Sequence, residues 1–212
     1  YISFRAPLGA LGVTDIYIPY SRRNPDKTFV KGSGLSSYQL PIIVSGSTTN
    51  DKDITVHIAH DSDTLKVLNE ARFLQQSKLW YTDIKDYTTI PENIKILAKE
   101  NIGLANIEFN FNGIDMSHKW LLPLTIVDGA TYNYTAHLRK NYAKALLRIF
   151  PFNDYSGDYS GSTLKIFVTG EEANATAKSI IRSYVVDENT IFFYAGDIDE
   201  NRTDRAMYKI YA

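Results

Sequence analysis

The stretch that most constrains this chain is residues 105–112, ANIEFNFN, where Ala105, Ile107, Phe109 and Phe111 alternate with Asn106, Glu108, Asn110 and Asn112. Strand side chains alternate between faces, so this period of two sets one face against a core and leaves the other in water. Similar runs precede and follow it at residues 15–20 (DIYIPY), 40–45 (LPIIVS), 54–59 (ITVHIA), 93–98 and 120–127 (WLLPLTIV). Pro19 marks the first of these as an edge strand or a strand end. The run at 120–127 is apolar on both faces and predicts a central or doubly covered strand, with a missing ladder bond or a bulge at Pro123. One helix is expected, capped by Ser62 or Asp63, in which Leu65, Leu68 and Phe73 recur near helical spacing. Residues 21–37 read as a surface loop, and Gly32-Ser33-Gly34 within it as a flexible turn. Short strands with polar turns, and no strand–helix alternation, predict an all-β fold built as a two-sheet sandwich.

Residues 142–161, YAKALLRIFPFNDYSGDYSG, read as a buried strand running into a turn-rich joint. Residues 1–152 are expected to close the sandwich, and residues 153–212 to begin a second, smaller β-rich domain with strands at 163–169, 183–186 and 190–195. The run at 207–212 stops inside a strand, so this second domain is expected to be incomplete. A unit of about fifty residues is marginal as an independent core and is expected to pack against the first domain or another chain.

The composition fits a soluble globular chain with many aromatics: 44% hydrophobic and 22% charged residues, with 15 Tyr and 10 Phe, which favour strands. A net charge of -1 without a basic stripe gives no footprint for a phosphate backbone, so nucleic acid is not an expected partner. The absence of Cys removes disulfides, thiolate metal sites and cysteine nucleophiles together. No apolar run approaches the roughly 18 residues of a membrane helix.

No catalytic signature is present: a G-x-S-x-G elbow, a Walker loop and an H-E-x-x-H helix are all missing, and nothing singles out a glycosidase pair among the 24 acids. No catalytic residue, metal or cofactor is therefore assigned. His57 and His60 lie three apart in a strand and point to opposite faces, which argues against a shared metal. Asp197, Asp199 and Asn201 have calcium-like spacing, but Arg202 replaces the required Gly, so a solvated turn is the simpler reading. Aromatic residues remain, because an exposed ring can stack on the apolar face of a sugar. Trp120 is expected in the core. Trp80 and Tyr81 follow the helix in polar surroundings, and Tyr155 and Tyr159 flank the joint glycines. These four are the candidate ligand-binding residues. Tyr132 and Tyr134 are expected to share one face of a strand-like segment.

Several segments together resemble a family of surface lipoproteins from gut Bacteroidetes, built from two paired domains of unknown function and commonly encoded beside glycan-uptake systems. The matching residues are IYIPY, YQLPIIVSGS, DITVHIAHDSDTL, KWLLPLTIVDG, YAKALLRIFPFNDYSGDYSG and YVVDENTIFFYAG. The resemblance implies an immunoglobulin-like Greek-key sandwich followed by a β-rich carboxy-terminal module. It also implies a lipid-anchored protein on the outer face of the outer membrane, with its anchor upstream of Tyr1. Asp63-Thr64-Leu65 fits the short O-glycosylation signal of such bacteria. The function expected is non-catalytic: binding glycan or presenting a binding module in a polysaccharide-utilisation system. A structural or protein-interaction role in an outer-membrane assembly is the alternative.

Overall fold

A computed structural model describes residues 1–21, 33–46, 50–163, 165–167, 169–170 and 175–212, with the side chains of Asn141 and Thr176 outside the description. Most of the expected loop at 21–37, including Gly32, lies outside the described residues, and its last three residues, 35–37, are strand rather than loop. The sandwich strands in chain order are β1 (Ile2–Phe4), β2 (Thr14–Pro19), β3 (Leu35–Val44), β4 (Ile54–His60), β5 (Tyr81–Asp83), β6 (Thr88–Thr89), β7 (Asn93–Ile96), β8 (Ile102–Asn110), β9 (Lys119–Ile126) and β10 (Lys144–Phe152). One sheet runs β1-β3-β8-β6 and the facing sheet β2-β10-β9-β4-β7, with β5 added against β9. Every connection except β4 to β5 and β9 to β10 carries the chain from one sheet to the other, so these ten strands form a two-sheet sandwich. The fold class is all-β.

The alternation in β8 works as its spacing implies: Ala105, Ile107 and Phe109 are buried and the residues between them exposed. In β9, Trp120, Leu122, Leu124 and Ile126 enter the sandwich core, while Leu121 joins a second cluster on the opposite face. That cluster lies under α1 (Ser62–Phe73), which supplies Leu65. Covering both faces explains the continuous apolar run. Pro123 is tolerated because the ladder between β4 and β9 ends at His60 and Leu124, and the Asp61 amide donates to the Pro123 carbonyl as the chain turns into the helix.

The helix cap falls one residue earlier than expected. Asp61, not Ser62 or Asp63, accepts from the Thr64 amide at 3.1 Å, and Lys144 binds the same carboxylate. The Thr64 hydroxyl belongs to this network, donating to Asp61 at 2.7 Å and accepting from Lys144 at 2.6 Å, so the candidate glycosylation signal is engaged in capping. The expected strand around Tyr132 and Tyr134 is instead a turn in which the two rings stack 5.4 Å apart.

Beyond the sandwich come β11 (Gly157–Ser160), β12 (Lys165–Ile166), β13 (Thr176–Ala177), β14 (Ile180–Val185), β15 (Ile191–Tyr194) and β16 (Lys209–Tyr211). A third sheet runs β11-β14-β15-β16, and β12 pairs with β13. Parts of the expected strand at 163–169 lie outside the described residues. Tyr184, Val185, Phe192 and Tyr194 belong to the same core cluster as the sandwich residues, so the third sheet packs on the first unit.

Candidate functional site

The joint is built from Asn153. Its side-chain oxygen accepts from the Tyr155 and Ser156 amides at 3.0 and 2.8 Å, and its amide nitrogen donates to the Asp187 carbonyl at 2.8 Å. One buried side chain thus shapes the turn after β10 and ties it to the β14–β15 hairpin. Gly157 follows at φ +145, a conformation that suits glycine, and its amide donates to the Ser183 hydroxyl at 2.9 Å. At the far end of β11, a Cβ on Gly161 would stand 2.2 Å from the Lys178 carbonyl oxygen, so only glycine fits without a shift.

This joint opens a groove of about 290 Å³, near the lower end of small-ligand cavities, with β2 and β10 on one side and β11 and β14 on the other. The parallel pairing of β2 with β10 sets Tyr17 beside Phe150, and their rings stack 5.2 Å apart at 16°. Tyr17 is nevertheless 59% exposed, so the ring face turned away from Phe150 remains open. Phe152, half-exposed, continues the apolar wall. Across the groove, Asp158 and Arg182 face each other on β11 and β14, with Nε to Oδ1 at 2.7 Å and Nη2 to Oδ2 at 2.9 Å. The Arg182 hydrogen bonds hold the Asp158 carboxyl below its usual range, and the same bonds raise Arg182.

A buried charge cluster fixes the third sheet behind this groove. Arg148, 6% exposed, lies 4.6 Å from the centre of the Phe150 ring and forms a two-pronged pair with Glu200. Burial alone would raise the Glu200 carboxyl, but the Arg148 hydrogen bonds and charge override it and hold it below the usual value. Nearby, burial brings the Lys119 ammonium down to about 8. Arg205 donates to the Ser117 carbonyl at 2.8 Å, and Lys209 binds Asp115 at 2.6 Å.

The four aromatics proposed from sequence separate into two places. Tyr155 and Tyr159 are 50% and 48% exposed, on the turn after β10 and on β11, where the Tyr159 hydroxyl donates to the Tyr155 carbonyl, and neither lines the groove. Trp80 is half-buried and donates its indole N–H to the Leu74 carbonyl at 3.2 Å. Tyr81 is only 4% exposed, wedged edge-on against Phe73 under α1, and so offers no open ring face. Tyr17, Phe150, Phe152, Asp158 and Arg182 were not singled out by sequence. The alternation of DIYIPY does carry a signal for Tyr17, since buried Ile16 and Ile18 place it outward. His57 stacks on Tyr132 at 4.3 Å, whereas His60 pairs with Asp83 at 2.8 Å. Among the described residues no group of three or more His, Asp or Glu could hold a metal, and no helix is long and apolar enough to cross a membrane.

Sandwich, packed third sheet and aromatic joint define a two-module all-β protein with a groove where the modules meet. A family model described as a domain of unknown function, DUF4973, matches residues 1–130, and a C-terminal module model matches residues 143–212. A crystal structure of an auxiliary nutrient binding protein from Bacteroides thetaiotaomicron is 51% identical, with a TM-score of 0.85, over 100% of this chain and 69% of that one. A multidomain protein including DUF1735 from Bacteroides ovatus is 45% identical, with a TM-score of 0.81, over 100% of this chain and 67% of that one. Another Bacteroides ovatus protein, of unknown function, is 33% identical, with a TM-score of 0.79, over 100% of this chain and 64% of that one. No curated protein matches. The chain belongs to the DUF4973 family, a two-domain family of Bacteroides proteins.

Proposed function

We propose that this chain is a non-catalytic nutrient-binding protein whose ligand is a glycan, bound in the groove at the module joint. The observation that carries this reading is Tyr17: an exposed ring, backed by Phe150 and continued by Phe152, is held rigid on paired strands beside an accessible polar pair. A rigid aromatic face matches the apolar face of a sugar ring, and the adjacent charges can bind its hydroxyls. The 51% identical relative described as an auxiliary nutrient binding protein supports the broader role. The family resemblance supports placement on the outer surface of the outer membrane through a lipid anchor. Resistance of the full-length protein to protease added to intact cells would count against that placement.

Affinity electrophoresis against a panel of plant and host polysaccharides tests the binding reading. At least one glycan is expected to retard the chain. Tyr17→Ala should abolish that retardation with unchanged circular dichroism, since the side chain is mostly exposed. Retardation by no glycan, or equal retardation of the variant, overturns the assignment to this groove. The half-buried Trp80 provides the contrast: Trp80→Ala is expected to leave binding intact.

The second reading, a protein-interaction component of a surface assembly, has one observation in its favour. Met207, Ile210 and Tyr211 are exposed along and beside β16, at the edge of the third sheet. An apolar sheet edge is a surface on which another strand can add.

A further inference from the structure

We infer that the groove selects an uncharged glycan chain over an acidic one, and that the Asp158–Arg182 pair makes the selection. This rests on the glycan-binding reading of the same groove and adds the chemical class of the ligand.

The argument begins with how the pair is used. Arg182 spends Nε and one Nη2 hydrogen on Asp158, which leaves three of its five N–H groups free. Each Asp158 oxygen keeps a further lone pair. The side chains are 46% and 44% exposed, so these free donors and acceptors face solvent. Donors and acceptors therefore lie side by side on a platform with no net charge. Neighbouring hydroxyls on a sugar ring both donate and accept, and they match such a platform. A uronate carboxylate only accepts, and would meet the Asp158 charge as closely as the Arg182 charge.

A second observation extends the argument along the groove. The same pair, with Tyr184, also lines an adjoining cavity of about 310 Å³ whose other charged walls are Lys178, Asp199 and Glu200. Lys178 is directed onto the Gly196 and Ile198 carbonyls, at 3.3 and 3.0 Å. Across both cavities the charged walls are two cations, Lys178 and Arg182, against three carboxylates, Asp158, Asp199 and Glu200. Glu200 is already paired with Arg148, and the remaining cations and carboxylates are equal in number. A polyanion therefore meets no surplus of positive charge along the path, whereas a neutral chain meets polar groups it can satisfy.

The test is calorimetric titration of the chain with neutral hexasaccharides (cello-, xylo-, manno- and malto-hexaose) and with acidic ones (hexagalacturonate and hexamannuronate). A neutral ligand is expected to bind roughly tenfold or more tightly than either acid. Asp158→Asn leaves the Arg182 charge uncovered, so it should weaken the neutral ligand and strengthen the acids, narrowing or reversing the preference. Arg182→Gln should weaken the neutral ligand roughly tenfold without helping the acids. Circular dichroism of both variants checks that this exposed pair is not needed for folding. Acids binding as tightly as neutral chains, with loss in Tyr17→Ala, would overturn the selectivity while leaving glycan binding in place. Neutral binding unchanged in both pair variants would remove the pair from the recognition. Failure of every sugar to bind overturns this inference and the glycan reading together.

Discussion

At the scale of single residues, the strongest dependence lies in Arg148 and Glu200, which join the sandwich to the third sheet. Taking two charges out of water is tolerable only while each satisfies the other, so losing one partner is far more damaging than the pair is stabilising. Arg148→Met is expected to lower unfolding stability by about 3–5 kcal/mol in urea denaturation at neutral pH. Arg148→Met with Glu200→Gln should recover much of the loss. The pH dependence has a definite sign. Glu200 is held below its ordinary 4.5, so its contribution is complete above that value and is lost as pH falls through the depressed folded value. The gap between wild type and Arg148→Met should therefore narrow with acid, and a constant gap from pH 7 to pH 3 would contradict this account. None of this was legible in the sequence. Arg148 sits inside an apolar run, and its partner lies in a loop first read only for its calcium-like spacing.

Elements were easier to read than their partners. The strands β2, β4, β8, β9 and β10 follow from alternation or from unbroken apolar runs, and α1 from its helical spacing, because these patterns are local. Short strands such as β1, β5 and β6 carry too few residues to show a period, and they exist because a neighbour's edge offers hydrogen bonds. For β5 part of that neighbour is a side chain. Asn69, buried on α1, accepts from the Tyr81 amide at 2.8 Å and donates to the Tyr81 carbonyl at 3.0 Å, standing in for a strand. Periodicity gives no warning of it, since an amide on a helix face ordinarily reads as solvent-facing. Asn69→Ala would orphan both backbone groups and should cost about 2 kcal/mol or more, with faster amide exchange at Tyr81. Unchanged exchange there would show that water replaces the side chain without loss. The candidate site shows the same limit: the glycines beside Tyr155 and Tyr159 drew attention to two rings that do not line the groove, whereas Asp158 and Arg182, which do, become a pair only through the register of β11 with β14.

For the whole molecule, the important pairing is the parallel one between β2 and β10, which joins opposite ends of the sandwich sequence. β1 is placed in a similar way: the Ile2 amide donates to the Thr135 carbonyl, and the His137 amide donates back to Ile2. Contacts this distant in sequence make for slow folding, in the millisecond-to-second range for sandwiches. They also fix an order of events during synthesis. Ribosome-stalled chains ending before Lys144 should be cut readily throughout by protease, while chains in which Phe152 has cleared the exit tunnel should resist over the sandwich. Early protection would show that the first strands find other partners. If the expected order holds, the newborn chain stays open until its last sandwich strand has emerged. For the surface placement proposed above that delay would be an advantage, because a polypeptide that cannot close early stays threadable, and a narrow export channel admits only threadable chains.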